Sequence, residues 1–146
     1  MSRAGEATKW ENMKDNSADQ KPILIVENLP ANQELFSLQL RQLGFSARHA
    51  PNGRVALEMF QANPESFSMI LMDLQMPVMD GLTTTILIRQ HEATTGTHVI
   101  IVALTANYAE NVREQCQRAG MDDFVHKPMT LDKLNQLVTK WLKEST

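Results

Sequence analysis

From Lys21 onward, short apolar runs alternate with longer amphipathic stretches. The runs are Ile23–Val26, Ser46–His49, Met69–Met72, Val99–Ala103 and Asp123–His126. Three of them are apolar throughout, as strands buried on both faces of a parallel sheet are. The second and fifth carry polar residues and belong nearer the sheet edges. Between the runs lie five stretches with helical spacing. Leu35, Phe36, Leu38, Leu40 and Leu43 line the first, and Val55, Ala56, Met59 and Phe60 the second. The third runs from Leu82 to His91, with Leu82, Ile86 and Arg89 in register. Val112, Cys116 and Ala119 mark the fourth; Leu131, Leu134, Val138 and Trp141 mark the last. Gly44 and Gly120 each follow a helical stretch, where a left-handed C-cap favours glycine. Asn52-Gly53 suits a hairpin turn in isolation, but the helical pattern behind it makes it a helix start.

Strands alternating with helices give five βα units, which close into an α/β fold with right-handed crossovers. At 146 residues the chain is one domain long; an eight-unit barrel needs roughly 200 residues or more. The expected fold is a flavodoxin-like, open, doubly wound five-stranded parallel sheet of order 2-1-3-4-5 with five helices. Residues 1–20 are polar and mixed in charge and read as a flexible leader or linker. Residues 21–143 form the domain and 144–146 a tail.

Hydrophobic residues make up 42% and charged residues 21% of the chain, ordinary for a globular protein. A formal charge of −3 and the lack of a basic run exclude a general affinity for nucleic acid. The single Cys116 excludes an intrachain disulfide framework and fits a reducing compartment. The apolar runs are too short to span a bilayer. The N-terminus lacks a signal peptide's apolar core, so a cytoplasmic location is expected.

Sheets of this order bind ligands beyond the carboxyl ends of the first and third strands. Glu27-Asn28 follows the first strand and Asp73-Leu74-Gln75 the third. The fourth ends in Leu104-Thr105-Ala106 and the fifth in His126-Lys127-Pro128. Two carboxylates, an amide, a hydroxyl and an ammonium therefore converge on one crevice. Clustered carboxylates raise one another's pKa unless a cation joins them, and hard oxygen ligands suit Mg²⁺. Metal and Lys127 can neutralise a transferring phosphoryl group, Asp73 can be the attacking carboxylate, and Thr105 and Lys127 can contact the product.

Four separated stretches, Ile23–Glu34 (ILIVENLPANQE), Met69–Gly81 (MILMDLQMPVMDG), Ile101–Asn107 (IVALTAN) and Gly120–Pro128 (GMDDFVHKP), carry a specific likeness. Over residues 21–143 the chain resembles response-regulator receiver domains, closest to the receiver modules of hybrid sensor histidine kinases. The resemblance implies that Glu27 and Asn28 stand at the acidic-pair positions, Asp73 is the phosphoacceptor and the Gln75 carbonyl is a metal ligand. It further implies Thr105 as switch hydroxyl, Phe124 as switch aromatic, Lys127 as the phosphate-contacting lysine, and a cis bond before Pro128. Its partners would be a sensor histidine kinase or a histidine-phosphotransfer protein, with no direct nucleic-acid contact, no membrane insertion and a homodimer as one option. The signalling surface would be the face of the fourth helix, fifth strand and fifth helix. Receivers accept a phosphoryl group without turning over an independent substrate, so the domain is not expected to be an enzyme.

One position departs from the family pattern: Asn28 stands where most members carry aspartate. An amide oxygen can ligate Mg²⁺ without the carboxylate's charge, so weaker metal binding is expected. An alternative follows, a pseudo-receiver that serves as an interaction module and is never phosphorylated. A phosphohydrolase with an aspartate nucleophile would need an acid two residues after Asp73, where Gln75 stands. A flavin site would need a Gly/Ser/Thr-rich loop after the first strand, which is missing. Met69, Met72, Met76 and Met79 read as packing residues, and His49, His91, His98 and His126 as structural or exposed. Cys116 reads as a small apolar residue, and Phe124 suits core packing as well as a switch. The chain is expected to be a stand-alone regulator or, given its likeness to hybrid-kinase receivers, part of a hybrid kinase.

Overall fold

Three strands form where side chains of both parities are apolar, because each then meets a helical layer on either face. The computed structural model describes residues 21–143; the expected leader and tail lie outside them. In chain order the elements are β1 (Ile23–Val26), α1 (Pro30–Gln42), β2 (Ala47–Ala50), α2 (Gly53–Ala62) and β3 (Met69–Asp73). There follow α3 (Gly81–Thr95), β4 (Ile100–Thr105), α4 (Glu110–Ala119), β5 (Asp123–His126), α5 (Leu131–Val138) and a closing π-turn, Thr139–Lys143. All strand pairs are parallel, in the order β2-β1-β3-β4-β5. The two strands with polar residues stand at the edges, as the pattern required.

Two cores result. Ile23, Ile25, Met69, Leu71, Val102 and Leu104 pack with Phe36 and Leu40 of α1 and Leu134, Leu137 and Val138 of α5. Leu24, Val26, Ile70, Met72, Ile101 and Ala103 pack with Ala56 and Phe60 of α2, Ile88 of α3 and Val112 and Cys116 of α4. Each fully buried Leu, Ile or Phe contributes about 1.5–3 kcal/mol relative to exposure.

Helix ends follow local chemistry. Asn52 caps α2 by accepting the Val55 N–H at 2.9 Å, and Asp80 caps α3 by accepting the Thr83 N–H at 2.7 Å. Gly120 ends α4 in the left-handed region. The apolar stripe of α3 differs from expectation: Ile86 is exposed, and the helix buries Thr84, Thr85, Ile88 and Glu92 instead. The physical reason is close packing. Gly53 of α2 meets Thr84, and Thr84 and Thr85 return their hydroxyls to the Asp80 and Gly81 carbonyls, so polar residues fill a tight contact. Leu35 and Leu38 of α1 and Leu131 of α5 are also exposed rather than in the core.

Candidate functional site at the carboxyl ends of the strands

Four strands deliver the site. Asp73 is the last residue of β3, and its carboxylate is nearly fully buried. Gly81 stands so close to Asp73 that an added Cβ would lie 2.5 Å from its carbonyl oxygen. The start of α3 therefore presses directly on the strand end, which only glycine allows. Glu27 follows β1 and is 1% exposed; its N–H closes the ladder to the Ala50 carbonyl at 3.1 Å. Lys127 follows β5, and the Lys127-Pro128 bond is cis.

These three side chains meet. The Lys127 ammonium lies 2.9 Å from Asp73 Oδ2 and 3.3 Å from Glu27 Oε1. Asp73 Oδ1 accepts the Gln75 N–H at 3.0 Å, and Glu27 Oε2 accepts the Leu29 N–H at 3.1 Å. Burial pushes the Asp73 carboxyl above its ordinary range; Glu27 adds to the rise, while Lys127 and the Gln75 N–H oppose it. Burial alone would lower the Lys127 pKa, but Asp73 and Glu27 outweigh it and hold the ammonium above the ordinary lysine value. One cation thus serves two carboxylates.

The other expected residues stand around this triad. Thr105 ends β4 and is buried; its hydroxyl oxygen accepts the Asn107 N–H at 2.9 Å, and its carbonyl accepts the Lys127 N–H at 2.8 Å. Asn28 is exposed beside Glu27. Phe124 lies two residues before His126 on β5, edge-on to its ring at 4.8 Å and beneath the Arg113 guanidinium at 5.4 Å. It also packs against the α2–α3–α4 core, so it belongs to the packing whatever else it does. Two contacts had no signal in the sequence. Tyr108 stacks on His126 with ring centroids 3.9 Å apart, and Gln33 reaches back to the Glu27 carbonyl at 2.6 Å. Both depend on how loops fold over strand ends, which no residue spacing encodes.

An open parallel sheet carrying buried acids after β1 and β3 and a lysine after β5 defines a receiver-type phosphorylation domain. The family model of the response regulator receiver domain matches residues 23–139, and the chain belongs to that family. It is 40% identical over 120 residues to the sensor histidine kinase GacS of Pseudomonas protegens, covering 82% of this chain and 13% of that protein. The receiver domain of the sensor histidine kinase PA1611 of Pseudomonas aeruginosa, solved with magnesium coordinated in its active-site cleft, is 36% identical. It superposes with a TM-score of 0.73 over 84% of this chain and 97% of that one. The receiver domain of Ssk1, solved in complex with the histidine phosphotransfer protein Ypd1 of Saccharomyces cerevisiae, is 32% identical. Its TM-score is 0.78, over 84% of this chain and 88% of that one. The chain spans 5% to 13% of the length of eight curated relatives. Among the described residues no helix is long and apolar enough to cross a membrane.

Receiver domains take Mg²⁺, and the donor set here fits a hard divalent cation. Two buried carboxylates face one ammonium, leaving a local charge of −1, and the neighbouring side-chain donor is an amide oxygen. The set is lean, because no group of three or more His, Cys, Asp or Glu gathers among the described residues.

Proposed function

We propose that this chain is a phosphorylatable receiver, residues 21–143, in which Asp73 accepts a phosphoryl group from a phosphohistidine. The donor is a sensor histidine kinase or a histidine-phosphotransfer protein, so the partners are proteins and not nucleic acid. The observation that carries this reading is the buried Asp73 carboxylate with the Lys127 ammonium 2.9 Å away. An Asp73 oxygen attacks phosphorus, the P–N bond breaks, and the electron pair leaves with the imidazole nitrogen. Lys127 offsets the charge on the transferring group. Bound Mg²⁺, held by Glu27, Asn28 and Asp73 with the Gln75 carbonyl, supplies further charge neutralisation.

The acyl phosphate brings about −1.5 to −2 charges near neutral pH. Thr105 then donates its O–H to the phosphoryl oxygens and moves the loop that its hydroxyl oxygen holds through the Asn107 N–H. This rearranges the β4–α4 connection, and Phe124 takes part as the switch aromatic. The phosphoryl group either controls a partner through that change or passes on. The domain serves as a cytoplasmic module of a hybrid sensor histidine kinase and turns over no independent substrate.

Phosphoryl incorporation from a small phosphodonor, with and without Mg²⁺, tests this. Wild type is labelled, Asp73→Ala is not, and Asn28→Asp reaches half-maximal labelling at lower Mg²⁺. Equal labelling of wild type and Asp73→Ala removes Asp73 from the role. Unchanged Mg²⁺ demand in Asn28→Asp removes the charge account of Asn28.

A further inference from the structure

In the β1–α1 connection, which carries Glu27 and Asn28, the Leu29 N–H donates to Glu27 Oε2 at 3.1 Å. Helix α1 begins at Pro30, and its N-cap Leu29 offers no side-chain acceptor to the first turn. Asn28 is exposed. Glu27 is anchored on the strand side by its N–H, yet its carbonyl, the first atom group of the Glu27–Asn28 peptide, lies beyond the ladder. Gln33 supplies a further restraint, on that carbonyl. Its side-chain amide donates to the Glu27 carbonyl at 2.6 Å, while its own N–H begins the helix on the Leu29 carbonyl at 3.0 Å. The Gln33 carbonyl in turn accepts from His49 Nε2 at 3.1 Å, and that nitrogen also meets the Ser37 hydroxyl. Gln33 therefore joins the end of β1, the start of α1 and the edge strand β2.

Fixing that carbonyl fixes the plane of the Glu27–Asn28 peptide, and with it the direction in which the Glu27 side chain leaves the backbone and the position of the Asn28 Cα. A site with a full acidic pair tolerates some misdirection through charge alone. Here one of the pair is an uncharged amide, so orientation matters more. We propose that Gln33 is a positioning residue that holds Glu27 and Asn28 for the metal and thereby sets the Mg²⁺ demand of the site. This rests on the receiver reading above and concerns a residue that touches neither metal nor phosphoryl group.

The test is Mg²⁺ titration by calorimetry on the unphosphorylated chain, with labelling measured across the same Mg²⁺ range. Gln33→Met keeps the length and loses the donor; Gln33→Asn keeps the amide and loses the reach. Both raise the half-saturating Mg²⁺ about tenfold, the range for groups that orient metal ligands, with maximal labelling at saturating Mg²⁺ unchanged. A merely structural role lowers the melting temperature and leaves half-saturation in place, and that result in either folded variant overturns the proposal. So does a fall in maximal labelling without a change in half-saturation. The calorimetric arm does not depend on Asp73 being the acceptor. Labelling of Asp73→Ala like wild type would therefore remove the receiver reading while the titration still judged Gln33.

Discussion

The two ends of the sheet each hold one cation between two carboxylates, and they solve that arrangement in opposite ways. At the amino ends of β4 and β5, Arg89 donates to Glu92 at 2.6 Å, Asp122 at 2.8 Å and the Gly120 and Val99 carbonyls, both at 2.9 Å. Glu92 also accepts the Val99 N–H, and Asp122 accepts from the Ile101 N–H and His98. Four of the five guanidinium N–H donors are used, and every oxygen of the two carboxylates accepts a hydrogen bond. At the carboxyl ends, Lys127 offers a compact, rotatable charge to Glu27 and Asp73, and burial still drives the Asp73 pKa up. Equal charge counts therefore mean different things. The Arg89 cation is also tied to two backbone carbonyls and holds the fold, whereas the Lys127 ammonium bonds only the two acids and is free to exchange its partners.

The largest expected effect separates the two clusters. Arg89→Met strands the buried Glu92 together with Asp122 and costs about 3–5 kcal/mol in urea unfolding, as breaking a buried pair does. Lys127→Met costs only about 1–2 kcal/mol, because Asp73, whose pKa burial already raises, takes up a proton. Labelling of folded Arg89→Met matches wild type at a temperature below its transition. Equal stability losses in the two variants would break the comparison.

Next in size is a gain. Asp73→Asn raises stability at pH 7 in Mg²⁺-free buffer by roughly 1 kcal/mol, the common scale for a stabilising change that sacrifices function. The native Asp73 pKa stands above the unfolded value of about 3.9. The folded chain therefore holds that proton more tightly, and wild-type stability falls as pH rises through the native pKa. Asparagine is neutral throughout, so its advantage is present at neutral pH and vanishes below about pH 4, where wild type is protonated in both states. Urea midpoints at the two pH values check this, and an equal difference at both would sink the burial account.

The contrast between the ends was only half visible in the sequence. Which strands are central followed from the apolar runs, because parallel strands covered on both faces leave an unbroken apolar signal, as Ile23–Val26 and Met69–Met72 do. The order itself followed from the common doubly wound arrangement. The triad followed from topology, since whatever ends β1, β3 and β5 must share a rim. The Arg89 cluster did not. Arg89 and Ile86 sit at helical spacing with Leu82, and an aliphatic period cannot show that the helix turns threonines inward and uses its arginine as a clamp. Gln33 and Tyr108 were hidden for a related reason: each meets a strand end through loop geometry, Gln33 six residues and Tyr108 eighteen residues from its partner.

Backbone conformation repeats the same asymmetry and gives the smallest test. Among the described residues with positive φ, Gly44, Gly96 and Gly120 lie in turns that lead into strands, where glycine adopts that conformation without steric cost. On the site side the conformation falls on Val78, with φ of 72°. The Met79 N–H closes a tight three-residue turn around it onto the Pro77 carbonyl at 2.7 Å. A β-branched residue there is a steric outlier, and such strain costs of order 1–3 kcal/mol. Val78 is 72% exposed, so replacing it removes little packing. With strain of about 1.5 kcal/mol, Val78→Gly relieves it and adds roughly 0.5–1 kcal/mol of unfolded-state entropy, for a net gain of about 0.5–1 kcal/mol in urea unfolding. Because this loop joins Asp73 to α3, its relaxation also shifts the Mg²⁺ dependence of labelling, whereas Gly96→Ala at the opposite end lowers stability without touching it. A Val78→Gly chain that is less stable than wild type would show that the turn carries no strain.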